Sequence, residues 1–370
     1  MQDMLLLSRD TVIAKIINDT LEPVAPALLP LKLQRTGAVQ AWLESRAIDA
    51  HRTHSRLLKK VLRLAQRDDL TTVLAVNAAT ITDAYWVKPI DDTTTTYADV
   101  RFTFNRFDEL ALTGNFDSLN QKPSRTPELT NIGSYEKCWL LRGEPIKYWW
   151  LKKAGLPREQ FSEVLASRLG RALGLSVVNY SGEDSFVRCR DFTDGATVNF
   201  EPAEGIVGET SEYVDIYEAL RPYGERVTDG YLRMCYFDAL IQNADRHEYN
   251  FGVLRNVETG GVISLAPFFD HNISLVSRNY PSLTVSSKDL LINDFVVLLR
   301  HADRKITMPT LSKTKIRDII DEVPFVLPVE DGVPDPKAYV CEYVFNRQEA
   351  LQERCRDLIA FQKNTDAGRE

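Results

Sequence analysis

The chain has 370 residues, 44% of them hydrophobic, and this length and composition predict a folded, soluble protein of two or three domains. Its formal net charge of -7 argues against nonspecific binding to nucleic acid. Five cysteines are scattered without a C-x-x-C pair, which argues against a disulfide framework and a zinc cluster and favours a reducing cytoplasm.

The N-terminal region contains no pattern from which a chemistry follows. Its first apolar run, three leucines, is too short for a signal peptide or a membrane span. Helix formers from Val39 to Gln66 predict a helical segment. The basic residues of this stretch are interpreted as a solvated helix face rather than a nucleic-acid site: Arg52, Arg56, Lys59, Lys60 and Arg63.

Two further patterns complete this region. Residues 71–89 and 100–107 are rich in β-branched and aromatic side chains, which suggests strands or buried turns. The stretch from Asn115 to Leu129 is polar, contains two prolines and lacks an apolar period, so it predicts a linker.

After the linker, the pattern predicts a β-hairpin whose second strand ends in lysines, because glycine turns bracket two apolar runs, the second reading Y-W-W-L-K-K. Apolar spacing from Phe161 to Leu173 predicts a helix that Gly174 ends. Two short strand candidates follow, V-V-N-Y and S-F-V-R-C-R, and then a D-F-T-D-G turn. Beyond Tyr213 the pattern is mainly helical, with a proline-rich interruption at 324–336.

The most informative segment reads N-A-D-R-H-E-Y-N-F-G-V-L from Asn243, and L-A-P-F-F-D-H-N around Asp270. Asp245 and Asn250 fall on an expected tight loop, and Asp270 follows about one hairpin later. Phosphoryl transfer needs a carboxylate to orient the attacking hydroxyl, and oxygen ligands to hold magnesium. The order therefore predicts Asp245 as catalytic base and Asn250 and Asp270 as ligands of Mg2+. His247 is interpreted as a residue that holds the loop by hydrogen bonds.

Together these motifs resemble the HipA-type serine/threonine kinases, that is, proteins with a HipA-like C-terminal domain. The resemblance spans roughly residues 120–300 and is carried, besides the two segments above, by T-N-I-G-S-Y-E-K-C-W-L-L (130–141), W-W-L-K-K (149–153) and F-S-E-V-L-A-S-R-L (161–169). It implies an α+β, two-lobed protein-kinase-like fold. The expected parts are an N-terminal accessory domain (1–118), a small β-rich lobe (119–195) and a large helical lobe (196–370).

The resemblance also implies a site for ATP. Lys152 is expected to reach the inner phosphates and to pair with Glu163, with Lys153 and Glu159 as the respective alternatives. Asp270 is followed by His271 and Asn272, so the glycine that ordinary protein kinases carry in this motif is absent.

The remaining nucleotide contacts follow from the same resemblance. Gly133 and Ser134 are expected in the loop over the phosphates, and Ser134 is a candidate for autophosphorylation. The backbone around Arg190 and Phe192 is expected to meet the adenine.

The resulting prediction is a cytoplasmic kinase that uses ATP and Mg2+ to phosphorylate a serine or threonine of a protein. The resemblance adds a toxin or growth-control role and an antitoxin-like protein partner; no direct nucleic-acid contact and no membrane association are expected. Two alternatives stay open. One is a small-molecule or lipid kinase with the same machinery, and the other is a catalytically silent nucleotide-binding interaction module.

Overall fold

The computed structural model describes residues 2–61, 63, 68–115 and 125–364. It divides into two compact units. The first contains residues 1–153, 188–201 and 253–263, and the second contains residues 154–187, 202–252 and 264–370. The predicted boundary between residues 118 and 119 lies outside the described residues.

The first unit begins with an antiparallel sheet of order β3-β2-β1-β4. Strand β1 pairs with both β2 and β4, so its buried leucines lie at the centre of the sheet. Trp42 and its neighbours pack against them and form a continuous apolar core. The strands are β1 (Met4–Ser8), β2 (Thr11–Ile17), β3 (Thr20–Pro23) and β4 (Tyr85–Pro89).

Short helices cover this part of the first unit: α1 (Leu31–Thr36), α2 (Val39–Glu44), α3 (Ser55–Val61), α4 (Asp69–Leu74), α5 (Tyr97–Val100) and α6 (Asp108–Thr113). The helical prediction for 39–66 holds only for α2 and α3, since a turn separates them and residues 62 and 64–67 lie outside the described part. Residues 71–74 are helical rather than extended, because the Asp68 carboxylate caps α4 by accepting from the Thr71 N–H. Residues 101–107 form no strand.

The predicted lysine hairpin is confirmed. Strands β5 (Lys137–Arg142) and β6 (Lys147–Lys153) pair antiparallel, with Lys137 directly opposite Lys152. Strand β8 (Phe186–Arg190) follows β6 across the sheet. Most residues of a three-stranded sheet also belong to the first unit, with β10 (Gly252–Arg255) between β9 (Asn199–Pro202) and β11 (Val262–Leu265).

The second unit is mainly helical, as the sequence predicts. Helix α10 (Glu225–Ile241) leads into the segment that begins at Asn243, and its apolar side chains are almost all buried. The elements are α7 (Pro157–Ala172), β7 (Ser181–Glu183), α8 (Glu204–Val207), α9 (Tyr213–Leu220), α10 (Glu225–Ile241), α11 (Leu290–Ala302), β12 (Thr307–Thr310), α12 (Lys313–Asp321), α13 (Pro336–Cys355) and β13 (Ala360–Lys363).

Two smaller predictions need correction. V-V-N-Y is not a strand, since Val177 makes only an isolated bridge to Phe268. The basic residues of 52–63 are not one solvated face, because Arg52 and Lys59 are buried.

Two general properties complete the description of the fold. All five cysteines are buried, and within the described part of the chain they form no disulfide bond. Within the described part of the chain, every helix is too short or too polar to span a bilayer.

Candidate active site

The loop that carries Asp245 and Asn250 lies in the second unit, between α10 and β10. Helix α10 ends at Gln242, whose left-handed backbone, with a φ of 52°, turns the chain into the loop. Asn243 is fully buried, and its side-chain amide donates to the Asp238 carboxylate over 2.8 Å. The start of the loop is therefore fixed to the last turn of α10.

Asp245 and Asn250 lie close together at the two ends of this loop. The Asn250 side-chain amide donates to the Asp245 carbonyl oxygen over 2.9 Å. The Asp245 side chain is exposed, whereas Asn250 is buried. The backbone around Asp245 is thus held in place while its carboxylate faces solvent, which leaves that carboxylate accessible to an acceptor hydroxyl.

Arg246 is the residue that organises the site, and the sequence patterns did not single it out. Its guanidinium forms a two-point ion pair with Asp238, with distances of 2.8 and 3.0 Å. It also donates to the carbonyl oxygen of Asn250 and, over 2.7 Å, to that of Phe269. One buried arginine therefore links α10, both ends of the loop and the residue that precedes Asp270.

The electrostatics of Arg246 agree with this arrangement. Burial by itself lowers the pKa of the guanidinium, but the carboxylates of Asp238 and Asp270 outweigh it and raise the pKa above its usual value. Arg246 is accordingly a permanent cation, and Asp270 lies close enough to interact with it.

Asp270 has a left-handed backbone, with a φ of 59°. Such a conformation is unfavourable for a residue other than glycine, and it persists only where the surroundings impose it. Here Phe268 accepts from the N–H of Val178 over 2.9 Å and donates to the carbonyl of Ser176 over 2.8 Å, so the chain on the N-terminal side of Asp270 is fixed. The turn that carries Asp270 is therefore tied to residues 176–178 of the same unit.

The donor atoms here suit magnesium. The Asn250 side chain donates to Asp245 through its nitrogen, and its amide oxygen is of the type that accepts hydrogen bonds or coordinates a metal. Together with the Asp270 carboxylate it makes a pair of hard oxygen donors, which magnesium accepts alongside water and phosphate oxygens. Among the described residues there is no cluster of three or more His, Cys, Asp or Glu side chains able to hold a metal, so a closed zinc-type site is absent from that part.

Two histidines near the motif take structural positions. The His247 ring nitrogen accepts from the Tyr249 N–H over 3.2 Å, in line with the predicted loop-holding role. His271, which stands where ordinary protein kinases have another residue type, is fully buried and packs edge-on against Phe237.

The predicted phosphate-binding residues of the first unit differ in exposure. Lys152 is buried, with 2% of its surface exposed, and its ammonium lies 5.2 Å from the centre of the Tyr135 ring. Lys153 is partly exposed and pairs with Glu136 over 3.3 Å. The alternation along β6 therefore places Lys152 inside and Lys153 at the surface.

The loop before β5 has the conformation that a glycine permits. Gly133 has a φ of 105°, and a Cβ atom there would collide with the ammonium group of Lys137. Ser134 is exposed.

The segment after β8 is a turn organised by Asp191, whose carboxylate accepts from the N–H groups of Thr193 and Gly195 over 3.0 and 2.8 Å. Arg190 is exposed and pairs with Asp194, and the Phe192 ring packs against Phe200. Arg190 thus pairs within the turn, and Phe192 connects the turn to β9.

Glu163 is buried on α7 in the second unit. Its alternative, Glu159, pairs with Arg278 over 2.9 Å. The structure places Asp245, Asn250 and Asp270 in the second unit, where Arg246 donates to the carbonyls of Asn250 and Phe269. It places the other predicted residues in the first unit, except for Glu163: Gly133, Ser134, Lys152, Arg190 and Phe192.

Comparison with solved structures defines the class of fold. HipA from Shewanella oneidensis MR-1, solved with HipB and operator DNA as a toxin–antitoxin system, matches at 14% identity and a TM-score of 0.56, covering 95% of this chain and 97% of that chain. The proinflammatory kinase CtkA of Helicobacter pylori matches at 18% identity and a TM-score of 0.43, covering 61% of this chain and 93% of that one. The likeness to HipA confirms the predicted kinase-like α+β fold.

The family follows from the sequence match. Residues 133–326, more than half of the chain, match the model of the HipA-like C-terminal domain, so the protein belongs to that family. The predicted resemblance is confirmed. No curated protein matches the chain.

Proposed function

We propose that this protein is an ATP-dependent kinase that transfers the γ-phosphate of ATP to a serine or threonine hydroxyl of a protein. The observation that carries the proposal is the position of Arg246, which joins the loop of Asp245 to the carbonyl of Phe269, directly before Asp270. A base and a metal ligand that serve one reaction have to be held in a fixed relation, and a shared buried arginine does this. Membership of the HipA-like family supports the same reaction class.

Each residue has a role in this proposal. The Asp245 carboxylate orients the acceptor hydroxyl and takes its proton. The oxygens of Asn250 and Asp270 are the protein ligands for Mg2+, which when bound would neutralise charge on the transferring phosphate. Lys152 reaches the inner phosphates of ATP and pairs with Glu163.

The first unit supplies further parts. Gly133 and Ser134 contact the phosphates through the backbone, and the backbone at Arg190 and Phe192 meets the adenine. The small lobe is proposed to cover 119–195 and the large lobe 196–370, with 1–118 as the accessory domain.

The setting of the reaction is also a proposal. Because the similar HipA was solved with HipB and operator DNA, an antitoxin-like protein is the proposed partner and growth control the proposed role. Contact with DNA would then come through that partner. A reducing cytoplasm is proposed because the five cysteines form no disulfide bond within the described part of the chain.

Phosphosite mapping tests the acceptor class. Cells that express the wild-type chain are expected to contain serine or threonine phosphosites that are absent from cells expressing Asp270→Asn, because the amide lacks the charge that holds magnesium. The measurement is quantitative mass spectrometry of peptides, with lipid and metabolite extracts run in parallel. The same spectra show whether Ser134 is phosphorylated.

The result can separate the alternatives. Phosphate that the wild type places only on lipids or small molecules would contradict the protein-kinase proposal and favour the small-molecule or lipid kinase. ATP bound but never consumed by the purified wild type would favour a silent nucleotide-binding module.

Lys152→Met is expected to lower kcat/KM for ATP about 10- to 100-fold, the effect of losing charge-assisted hydrogen bonds to phosphate. The matched control is Lys153→Met, whose effect should stay within about 3-fold because the surface pair of Lys153 with Glu136 is worth little. Steady-state kinetics with varied ATP measure both. A larger loss in the Lys153 variant would reverse the assignment.

A further inference from the structure

Arg52, in the N-terminal region, is one of the most deeply buried charged side chains of the first unit, with 1% of its surface exposed. It pairs with Glu128, whose side chain is also completely buried, over 3.1 Å. A buried ion pair costs desolvation that its mutual attraction barely offsets, so it is weak evidence for a purely stabilising role. The other hydrogen bonds of Arg52 indicate its role.

The Arg52 guanidinium holds both ends of one loop. It donates to the carbonyl oxygen of Asn131 over 3.2 Å and to that of Lys137, the first residue of β5. Between these two carbonyls lie residues 132–136, named here the glycine loop because Gly133 is in it. The planar guanidinium has donors in a fixed fork and can hold both carbonyls at once, which a lysine ammonium cannot do with the same geometry.

Glu128, the carboxylate partner of Arg52, accepts hydrogen bonds from residues on both sides of the glycine loop. It accepts from the Asn131 side-chain amide over 3.0 Å, from Asn105 over 2.8 Å and from the Trp139 N–H over 2.7 Å. Burial raises the pKa of Glu128 in spite of Arg52 and these donors. Its partners therefore lie before the glycine loop, at Asn131, and after it, at Trp139.

The entry to the loop is fixed from other parts of the N-terminal region too. The Ile48 N–H donates to the carbonyl of Leu129 over 2.8 Å, and the Thr130 hydroxyl donates to the carbonyl of Ala79 over 2.8 Å. The loop itself stays accessible, because Ile132 and Ser134 are exposed. Both ends are thus held, and the exposed middle is left to contact a ligand.

We propose that Arg52 and Glu128 are positioning residues that set the conformation of the glycine loop for the phosphates of a nucleotide, so that the N-terminal region is part of the nucleotide-binding apparatus. The proposal rests on the proposed function for the identity of the ligand. The holding of the loop is a property of the chain itself and is measurable without nucleotide.

The test variant is Arg52→Lys, which keeps a positive charge beside Glu128 but loses the planar set of guanidinium donors that holds both carbonyls. Amide hydrogen exchange of residues 132–136, measured without nucleotide, is expected to be about 10-fold faster than in the wild type. The KM for ATP with Mg2+ is expected to rise about 10-fold, with kcat within about 3-fold, because the loop contacts substrate phosphates rather than the acceptor.

The matched control is Arg46→Lys in the same unit. Arg46 forms a buried two-point ion pair with Asp83, with distances of 2.8 and 3.1 Å, and donates to the carbonyl of Ala78, and both partners lie outside the glycine loop. This variant is expected to lose stability like Arg52→Lys while exchange in 132–136 and the KM for ATP stay as in the wild type.

A second variant covers the case in which Arg52→Lys does not fold. The double variant Arg52→Met with Glu128→Leu removes both charges, so no buried charge is left unpaired, and it is expected to show the same faster exchange and raised KM. Unchanged exchange in 132–136, or an unchanged KM for ATP in an active variant, would overturn the proposal. Failure of the wild type to bind ATP would instead overturn the proposed function, and with it the nucleotide role of the loop, whatever the exchange shows.

Discussion

Asp245→Ala is expected to lower kcat by about 10²- to 10⁴-fold, the usual contribution of a positioned general base. The Asp245 side chain is exposed and its backbone carries the hydrogen bond from Asn250, so the alanine variant keeps the loop and should change stability by no more than about 0.5 kcal/mol. The KM for ATP should change little, because the carboxylate faces the acceptor. Steady-state kinetics with ATP and an identified acceptor give both constants.

The matched control removes another carboxylate from the same loop. Glu248→Ala leaves the Asp245 side chain in place, and it keeps the backbone carbonyl of residue 248, which accepts from the Glu204 N–H over 3.1 Å. Its kcat should stay within about 3-fold of the wild type. An Asp245→Ala enzyme that keeps more than a tenth of the wild-type kcat would remove Asp245 from the catalytic role.

Arg246→Met is expected to lower both the stability of the protein and its activity. It leaves the Asp238 carboxylate, which is fully buried, without its cation, and breaking such a pair costs about 3–5 kcal/mol. It also removes the donors to the carbonyls of Asn250 and Phe269. Activity should therefore fall, because these hydrogen bonds hold the segments that carry the proposed metal ligands. Urea denaturation gives the stability, and kinetics of the folded fraction at several Mg2+ concentrations give the activity.

Two comparisons separate stability from catalysis. Arg347→Met breaks another buried pair of the same unit, with Asp289 at 2.7 Å, and should lose stability without losing kcat in the folded fraction. The double variant Arg246→Met with Asp238→Leu should regain much of the stability, because no buried charge remains unpaired, yet stay inactive. A double variant with near wild-type kcat would show that Arg246 matters only for folding.

Local patterns in the sequence predicted several elements of this fold because their signals lie within a few residues. The hairpin of β5 and β6 follows from glycine turns on either side of apolar runs, and the helix that carries Glu163 follows from its apolar spacing. That helix begins earlier than predicted, at Pro157, because proline suits the first helical position. The kinase-like class followed from the order of these elements and is confirmed by the likeness to HipA.

The residues that hold the site together were harder to predict. Arg246 is next to Asp245 in the sequence, yet its main partner, Asp238, lies within a mostly apolar helix. No local pattern in that helix indicates which residue this aspartate binds. Arg52 belongs to a basic run that is typical of a solvated helix, and its partner Glu128 is 76 residues away. Ion pairs whose spacing matches neither a helix nor a strand leave no periodic pattern in one sequence, so only the folded chain reveals them.

The reactivity of the buried thiols can report how often the core of each unit opens to solvent. Burial raises the pKa of Cys138 in the first unit and of Cys235 in the second, so in the native state each sulfur is both covered and protonated. The thiolate is the form that attacks an alkylating reagent and displaces its leaving group, so modification requires a fluctuation that exposes the sulfur to water. The rates at which these two cysteines react would therefore report, for each unit separately and without an engineered label, how often its core opens.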